Sequence, residues 1–332
     1  MCQYSATDGF ANDWHLVHLG SRAAGGSGLL LQEATAVSPE ARISPGDLGL
    51  WKDEHIEKLY TINQFILSQS AIPGIQLAHA GRKASVSAPW LGNKKLNSDD
   101  GGWITVAPSA IPYHKSEEAP IALDLMGIQK VVHDFQSATR RAVQAGYQVL
   151  EIHAAHGYLL HQFLSPLSNT RTDAYGGSFE NRIRFTLEVV KAVQTEWPSD
   201  LPLFVRISAT DWADNGWNLE ESVQLSKILK EKGVDLIDVS SGGLVSHQKI
   251  IAGPNYQVPF AEEIKKECGV ATGAVGMITE AIQAETILSE SQADLLFFAR
   301  ASLRDPHLPL HFASILQESI PWPQQYERAK IS

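Results

Sequence analysis

Seven short apolar runs recur along the chain, at residues 28–31, 74–77, 148–152, 201–207, 235–240, 270–275 and 294–299. Each is short for a helix, and nearly every one ends on a polar or glycine-rich cluster. Between them lie stretches of a different period. Residues 51–69 place Ile56, Leu59, Ile62, Phe65 and Ile66 at helical spacing. Residues 128–144, 179–197, 219–231 and 281–288 read the same way, with Gly146, Pro198 and Gly233 marking ends. Short buried strands alternating with amphipathic helices predict parallel βα units. Polar residues gathered at the strands' C-terminal ends match the place where a (β/α)8 barrel keeps its active site.

A closed barrel of this kind needs eight strands. Residues 14–24 have helical character and begin too soon after Met1 for a strand to precede them. The expected fold is therefore an α/β, (β/α)8 TIM barrel whose first strand is missing or reduced to a stub at residues 1–3. Such a barrel has an open seam beside its last strand. Residues 85–113 are rich in Gly, Pro, Asn and Asp and have little periodicity. A loop of that length is either a binding loop over the active face or a surface excursion.

Composition narrows the class. The 332 residues are 44% hydrophobic and 19% charged, as in a soluble globular enzyme, and read as one domain over residues 1–332. A formal net charge of -10 argues against nucleic-acid binding, which needs clustered Lys and Arg. With only Cys2 and Cys268, neither a disulfide framework nor a thiolate metal cluster is expected. No apolar stretch nears the roughly 18 residues that span a bilayer, and no secretory leader is seen, so the expected compartment is the cytoplasm.

The run Glu151-Ile-His153-Ala-Ala-His156-Gly-Tyr158 stands where a strand leaves the sheet. His-x-x-His can be a metal pair, although only Glu151 is near as a third ligand. The two histidines can also be satisfied structural residues. Alternatively, they grip a carbonyl or phenolate oxygen while Tyr158 donates a proton. Arg206 sits inside an apolar strand, where it faces an anionic ligand or pairs with Asp211 or Asp238. Val275-Gly276 and Ala299-Arg300 fall on the last two strands, the usual phosphate cradle of such a barrel. The Gln76 amide suits an imide edge such as a pyrimidine or flavin ring, and Glu33 reads as a structural acid.

Taken together these residues resemble the Old Yellow Enzyme family of FMN-dependent ene-reductases. The likeness rests on Gly74-Ile-Gln-Leu-Ala-His-Ala-Gly-Arg-Lys83, on the run from Glu151 to Tyr158, and on Arg171-Thr-Asp-Ala-Tyr-Gly-Gly-Ser-Phe-Glu-Asn-Arg-Ile-Arg-Phe185. The opening Met-Cys-Gln-Tyr-Ser and the closing Gln325-Tyr-Glu-Arg328 resemble the thermophilic-like, YqjM-type branch.

The resemblance implies bound FMN, with NADPH or NADH as reductant and a small-molecule enone as substrate. His153 and His156 would hold the substrate oxygen, and Tyr158 would protonate the α-carbon. Gln76 and Arg206 would meet the flavin pyrimidine and Ala34 its ring. Met1 and Cys2 would border the flavin, Cys2 near its reactive edge. Val275, Gly276, Ala299 and Arg300 would cradle the phosphate. Tyr4 would line the substrate site with Lys83 at its rim, and Arg328 would reach in from a neighbouring subunit of a homodimer or homotetramer. The family usually has Gly where Ala299 stands, and it carries a first strand ahead of the Met-Cys-Gln-Tyr segment. Two other readings remain open: a flavin-free phosphate-binding aldolase or isomerase, and a truncated, inactive flavin-binding barrel.

Overall fold

The computed structural model describes residues 1–330. In chain order the elements are α1 (Asp13–Ala24), β1 (Leu29–Ala36), α2 (Ile56–Ser68), β2 (Ile72–Ala78), β3 (Val106–Ala107), β4 (Ile121–Ala122), α3 (Leu125–Gln144), β5 (Val149–Ala154), α4 (Leu159–Leu164) and α5 (Phe179–Gln194). They continue with β6 (Leu203–Ser208), α6 (Leu219–Glu231), β7 (Leu236–Ser240), α7 (Val258–Cys268), β8 (Ala271–Val275), α8 (Ala281–Ser289), β9 (Leu295–Phe297), α9 (Arg300–Arg304) and α10 (Leu308–Ile315).

One seven-stranded sheet runs β1-β2-β5-β6-β7-β8-β9, and every neighbouring pair is parallel. These are the seven strands expected. Residues 1–3 add none, and among the described residues β1 and β9 are not paired with one another. A cavity of about 580 Å³ lies at this seam, with Met1, Leu31, Arg206, Phe297 and Ala299 in its lining.

The helices cover the outside of the sheet for the reason their spacing gives. In α3 the buried side chains Ile128, Val131, Phe135, Ala138 and Ala142 recur at helical intervals and join the main core. Asp124 caps that helix, accepting from the Gly127 N–H at 2.7 Å.

Inside the sheet, strand alternation builds layers. Val149, Phe204 and Leu236 form an apolar floor with Leu29, Ala271 and Phe297 packed against it. Two residues further along their strands come Glu151, Arg206, Asp238 and Gly273. Two further again come His153, Ser208, Ser240 and Val275.

Some elements differ from the pattern reading. The first strand runs on to Ala36 through a register shift between Gln32 and Ala34, so polar residues continue it. α4 gives no amphipathic signal because all six of its residues are buried. α7 opens with a Pro in its first turn, a position helices tolerate but that reads as a breaker.

Candidate active site

The end of β5 delivers the histidines. His156 has φ +57°, so the chain turns sharply there and brings His156 back over His153. Gly157 follows at φ +71°, where a Cβ would lie 2.1 Å from the Gly243 carbonyl oxygen, so the turn fits only a glycine. His153 Nε2 and His156 Nδ1 are 3.3 Å apart, with their rings perpendicular. His153 Nδ1 accepts from the Ala155 N–H at 3.2 Å, which puts the ring proton on Nε2, facing His156. His156 Nε2 lies 2.7 Å from Ser240 Oγ, and the His156 backbone N–H donates to Ser208 Oγ at 2.9 Å. Burial, and then the charge of Arg206, hold both imidazoles well below their ordinary range. Both are neutral near pH 7.

Tyr158 stands at the N-terminus of α4 with its ring edge-on to His153, centroids 5.0 Å apart. Burial pushes its hydroxyl well above the usual range, so the proton is retained. Cys2, Tyr4 and Tyr158 pack around one small cluster with Ile43 and Ala84. Burial, with Asp47 and Glu33 nearby, likewise raises the Cys2 thiol well above its usual range.

Lys83 Nζ donates to the carbonyl oxygens of His156 at 2.9 Å and Gly243 at 2.8 Å, tying the histidine turn to the loop after β7. It also lies over the rings of Tyr113 and Tyr158, at 4.8 and 5.3 Å from their centroids. Burial lowers its pKa to about 8. A second cavity, of about 280 Å³, includes Tyr4, Lys83, Lys95, Tyr113 and Tyr158 in its wall. Residues 85–113 thus form one side of the pocket that ends on Tyr158.

Beneath the histidines, Gln76 Nε2 donates to Glu151 Oε1 at 2.6 Å. Arg206 Nε lies 3.0 Å from Asp238 Oδ2, so its acid partner is Asp238. Asp211 instead pairs with His161, at 2.9 Å. Ala34 sits opposite Gln76 in register. Gly276 has φ +120°, and a Cβ there would meet Gln257 Nε2 at 2.7 Å and Tyr256 Cε1 at 2.9 Å. Ala299 immediately precedes α9, and Arg300 opens that helix, exposed. Arg328 is exposed on a 3-10 turn over Gln324–Ala329 and has no hydrogen bond or ion pair with any of these residues within the chain, among the described residues. Glu33 accepts from the Gln3 N–H at 2.5 Å and faces His15 at 3.7 Å, so it anchors the segment that carries Cys2 and Tyr4. Among the described residues no group of three or more His, Cys, Asp or Glu is arranged to hold a metal.

Comparison with known proteins now settles the family. A family model described as NADH:flavin oxidoreductase / NADH oxidase matches residues 1–318. The chain belongs to this flavin oxidoreductase family. It is 48% identical to an NADPH dehydrogenase of Bacillus velezensis over 331 residues, 99% of this chain and 93% of that protein. Morphinone reductase in complex with tetrahydroNAD is 26% identical, with TM-score 0.78 over 98% of this chain and 87% of that one. A 2-naphthoyl-CoA reductase complex, 24% identical, shares the fold with TM-score 0.84 over 96% of this chain and 49% of that one.

The likeness to Old Yellow Enzyme therefore holds, and this flavin oxidoreductase is an FMN enzyme. The flavin-free aldolase or isomerase reading falls with that match. The residues suit the cofactor. Gln76 offers an amide to an imide edge, Arg206 offers a positive charge, and the backbone at Gly276 is bare of any Cβ.

Reading motifs one at a time missed Ser208 and Ser240, which position His156, and the Glu151–Asp238 pair. The signal was available in strand alternation, because Ser208, Ser240 and Glu151 lie two residues from Arg206, Asp238 and His153, all already singled out.

Proposed function

We propose that this flavin oxidoreductase reduces the carbon–carbon double bond of α,β-unsaturated carbonyl compounds, with NADPH or NADH as reductant. The observation that carries the reading is the pairing of His153 Nε2 with His156 Nδ1 at 3.3 Å beside Tyr158. FMN, when bound, supplies the redox chemistry, passing a hydride equivalent from the nicotinamide to the β-carbon of the alkene.

The chain's residues supply position and polarisation. A substrate oxygen entering between the rings replaces the His153–His156 contact, and the Ser240 hydroxyl then turns from Gln257 Oε1 to donate to His156 Nε2, which leaves the His156 proton on Nδ1. Two neutral N–H groups then converge on one point, where a carbonyl oxygen is held and its alkene drained of electron density. Tyr158 delivers its hydroxyl proton to the α-carbon. Gln76 and Arg206 would hold the flavin pyrimidine, with Ala34 beside the ring and Met1 and Cys2 at its border. Val275, Gly276, Ala299 and Arg300 would take the phosphate. Tyr4 and Lys83 line the substrate pocket, and Arg328 completes that pocket in the neighbouring subunit of a homodimer or homotetramer. The enzyme works on small molecules in the cytoplasm. No described helix is long and apolar enough to cross a membrane.

The open seam between β1 and β9 favours a second reading, a flavin-binding barrel without turnover. Absorbance spectra separate the two. Bleaching of the flavin bands by NADPH and their return on adding an enone supports the reductase; bleaching that no enone reverses supports the second reading. Phenolic ligands test the histidines. The double substitution His153→Ala with His156→Ala should weaken phenol binding at least tenfold while FMN stays bound. Unchanged phenol affinity would remove the histidines from the substrate site.

A further inference from the structure

Below the histidine pair lies an ionisable layer whose two carboxyl groups, Glu151 and Asp238, have no part in the proposed reaction. Glu151 and Asp238 are both 0% exposed; they stand in one layer of the sheet interior, on β5 and β7, near enough for each to act on the other's ionisation. Glu151 Oε1 already accepts from Gln76 at 2.6 Å, and Asp238 Oδ2 lies 3.0 Å from the Arg206 guanidinium. Glu151 Oε2 and Asp238 Oδ1 have no donor group within reach among the described residues. Buried carboxyl oxygens left with no donor are costly unless one of the groups carries a proton. Two adjacent carboxylates in low dielectric cannot both be ionised, and they share a proton instead.

The neighbours decide which group holds it. Asp238 touches a guanidinium that favours its ionised form. The contact of Glu151 on the other side is a neutral amide. Burial, and then the Asp238 charge, push Glu151 well above the carboxylate range.

We propose that Glu151 is a neutral carboxylic acid that donates to Asp238 and accepts from Gln76, acting as a positioning residue for the flavin. One buried proton then does two things. It makes the sum of Glu151, Asp238 and Arg206 zero rather than minus one beneath the ring. It also commits the Gln76 N–H group downward, leaving the Gln76 carbonyl oxygen free to accept from an imide N–H. The electrostatic part rests on the reading that FMN lies over Gln76 and Arg206.

The test compares two isosteric variants of the holoenzyme. Glu151→Gln reproduces a neutral acid, its amide donating to Asp238 and its carbonyl accepting from Gln76. Asp238→Asn removes a true negative charge and leaves Arg206 uncompensated. The readout is the affinity of FMN in its oxidised and reduced states. Glu151→Gln should leave the ratio of the two affinities within about twofold of the native value. Asp238→Asn should shift it toward reduced FMN by on the order of tenfold, about 30 mV for a two-electron couple. An equal shift in both variants would mean that Glu151 is ionised and would overturn the proposal.

An infrared measurement stands apart from the flavin. The native protein, recorded at about pH 9 with and without FMN, should show a protonated-carboxyl stretch that Glu151→Gln lacks. Loss of no such band overturns the proposal even if the flavin binds as described. The band present, with FMN ratios unmoved in both variants, overturns instead the placement of flavin over Gln76 and Arg206, and the electrostatic role with it. Asp238→Asn has an isosteric side chain, and circular dichroism confirms that both variants are folded before either result is read.

Discussion

Substituting Tyr158 by Phe separates chemistry from structure more cleanly than any other change in the pocket. The Tyr158 hydroxyl has no hydrogen-bond partner among the described residues, so its removal breaks no bond in the resting fold. What remains, the ring edge-on to His153 at 5.0 Å and beneath Lys83 at 5.3 Å, is shared by phenylalanine. Stability should therefore stay within about 0.5 kcal/mol of the native value. Reactivity should not. A positioned acid contributes roughly 10²–10⁴-fold, which is about 3–5 kcal/mol of barrier at 1.36 kcal/mol per decade. Stopped-flow absorbance resolves the two halves of turnover. Flavin reduction by NADPH should keep its rate, because no proton from Tyr158 enters that step. Reoxidation by an enone should slow by the full factor. Equal slowing of both halves would refute the assignment and make Tyr158 a residue that shapes the pocket. A loss below tenfold in reoxidation would show that solvent delivers the proton.

Two further changes probe the phosphate end and the N-terminal anchor. Gly276→Ala places a Cβ at φ +120°, within 2.7 Å of Gln257 Nε2, and should lower FMN affinity at least tenfold in a fluorescence titration; unchanged affinity would move the phosphate elsewhere. Burial raises the Glu33 carboxyl from its ordinary 4.5 to about 7. Between those values the folded chain holds a proton that the unfolded chain has released, so the Glu33 contribution to stability falls as pH rises. Glu33→Gln should be near neutral at about pH 4.5 and more stable than the native protein by up to about 3 kcal/mol above pH 7, measured by denaturant melts. A difference independent of pH would show that Glu33 is ionised throughout.

The hydrophobic pattern made all seven barrel strands legible because each is a short apolar run flanked by turn residues. Period could not find α4, since a helix buried on every side has no polar face to mark it. α7 and α10 each open with a Pro in the first turn, which reads as punctuation unless the helix beyond it is already known. The bulge that carries β1 past Gln32 to Ala34 was hidden for a similar reason. Polar residues ended the apparent run before the register shift could bring Ala34 opposite Gln76.

The candidate site was legible residue by residue but not layer by layer. His153, His156, Tyr158, Gln76 and Arg206 announce themselves as polar groups at strand ends. The order among them comes from alternation within three neighbouring strands. Val149-x-Glu151-x-His153, Phe204-x-Arg206-x-Ser208 and Leu236-x-Asp238-x-Ser240 repeat one sequence of chemistry. First comes an apolar residue that fills the floor, then an ionisable residue, then a hydrogen-bonding group at the mouth. The floor keeps water from the ionisable layer, and that exclusion raises the Glu151 and Asp238 carboxyls and leaves the Asp238–Arg206 pair poorly screened. The same three strands carry His153, Ser208 and Ser240 one layer above that pair, so the proposed grip on a substrate oxygen and the proposed positioning of the flavin would draw on one stack of residues.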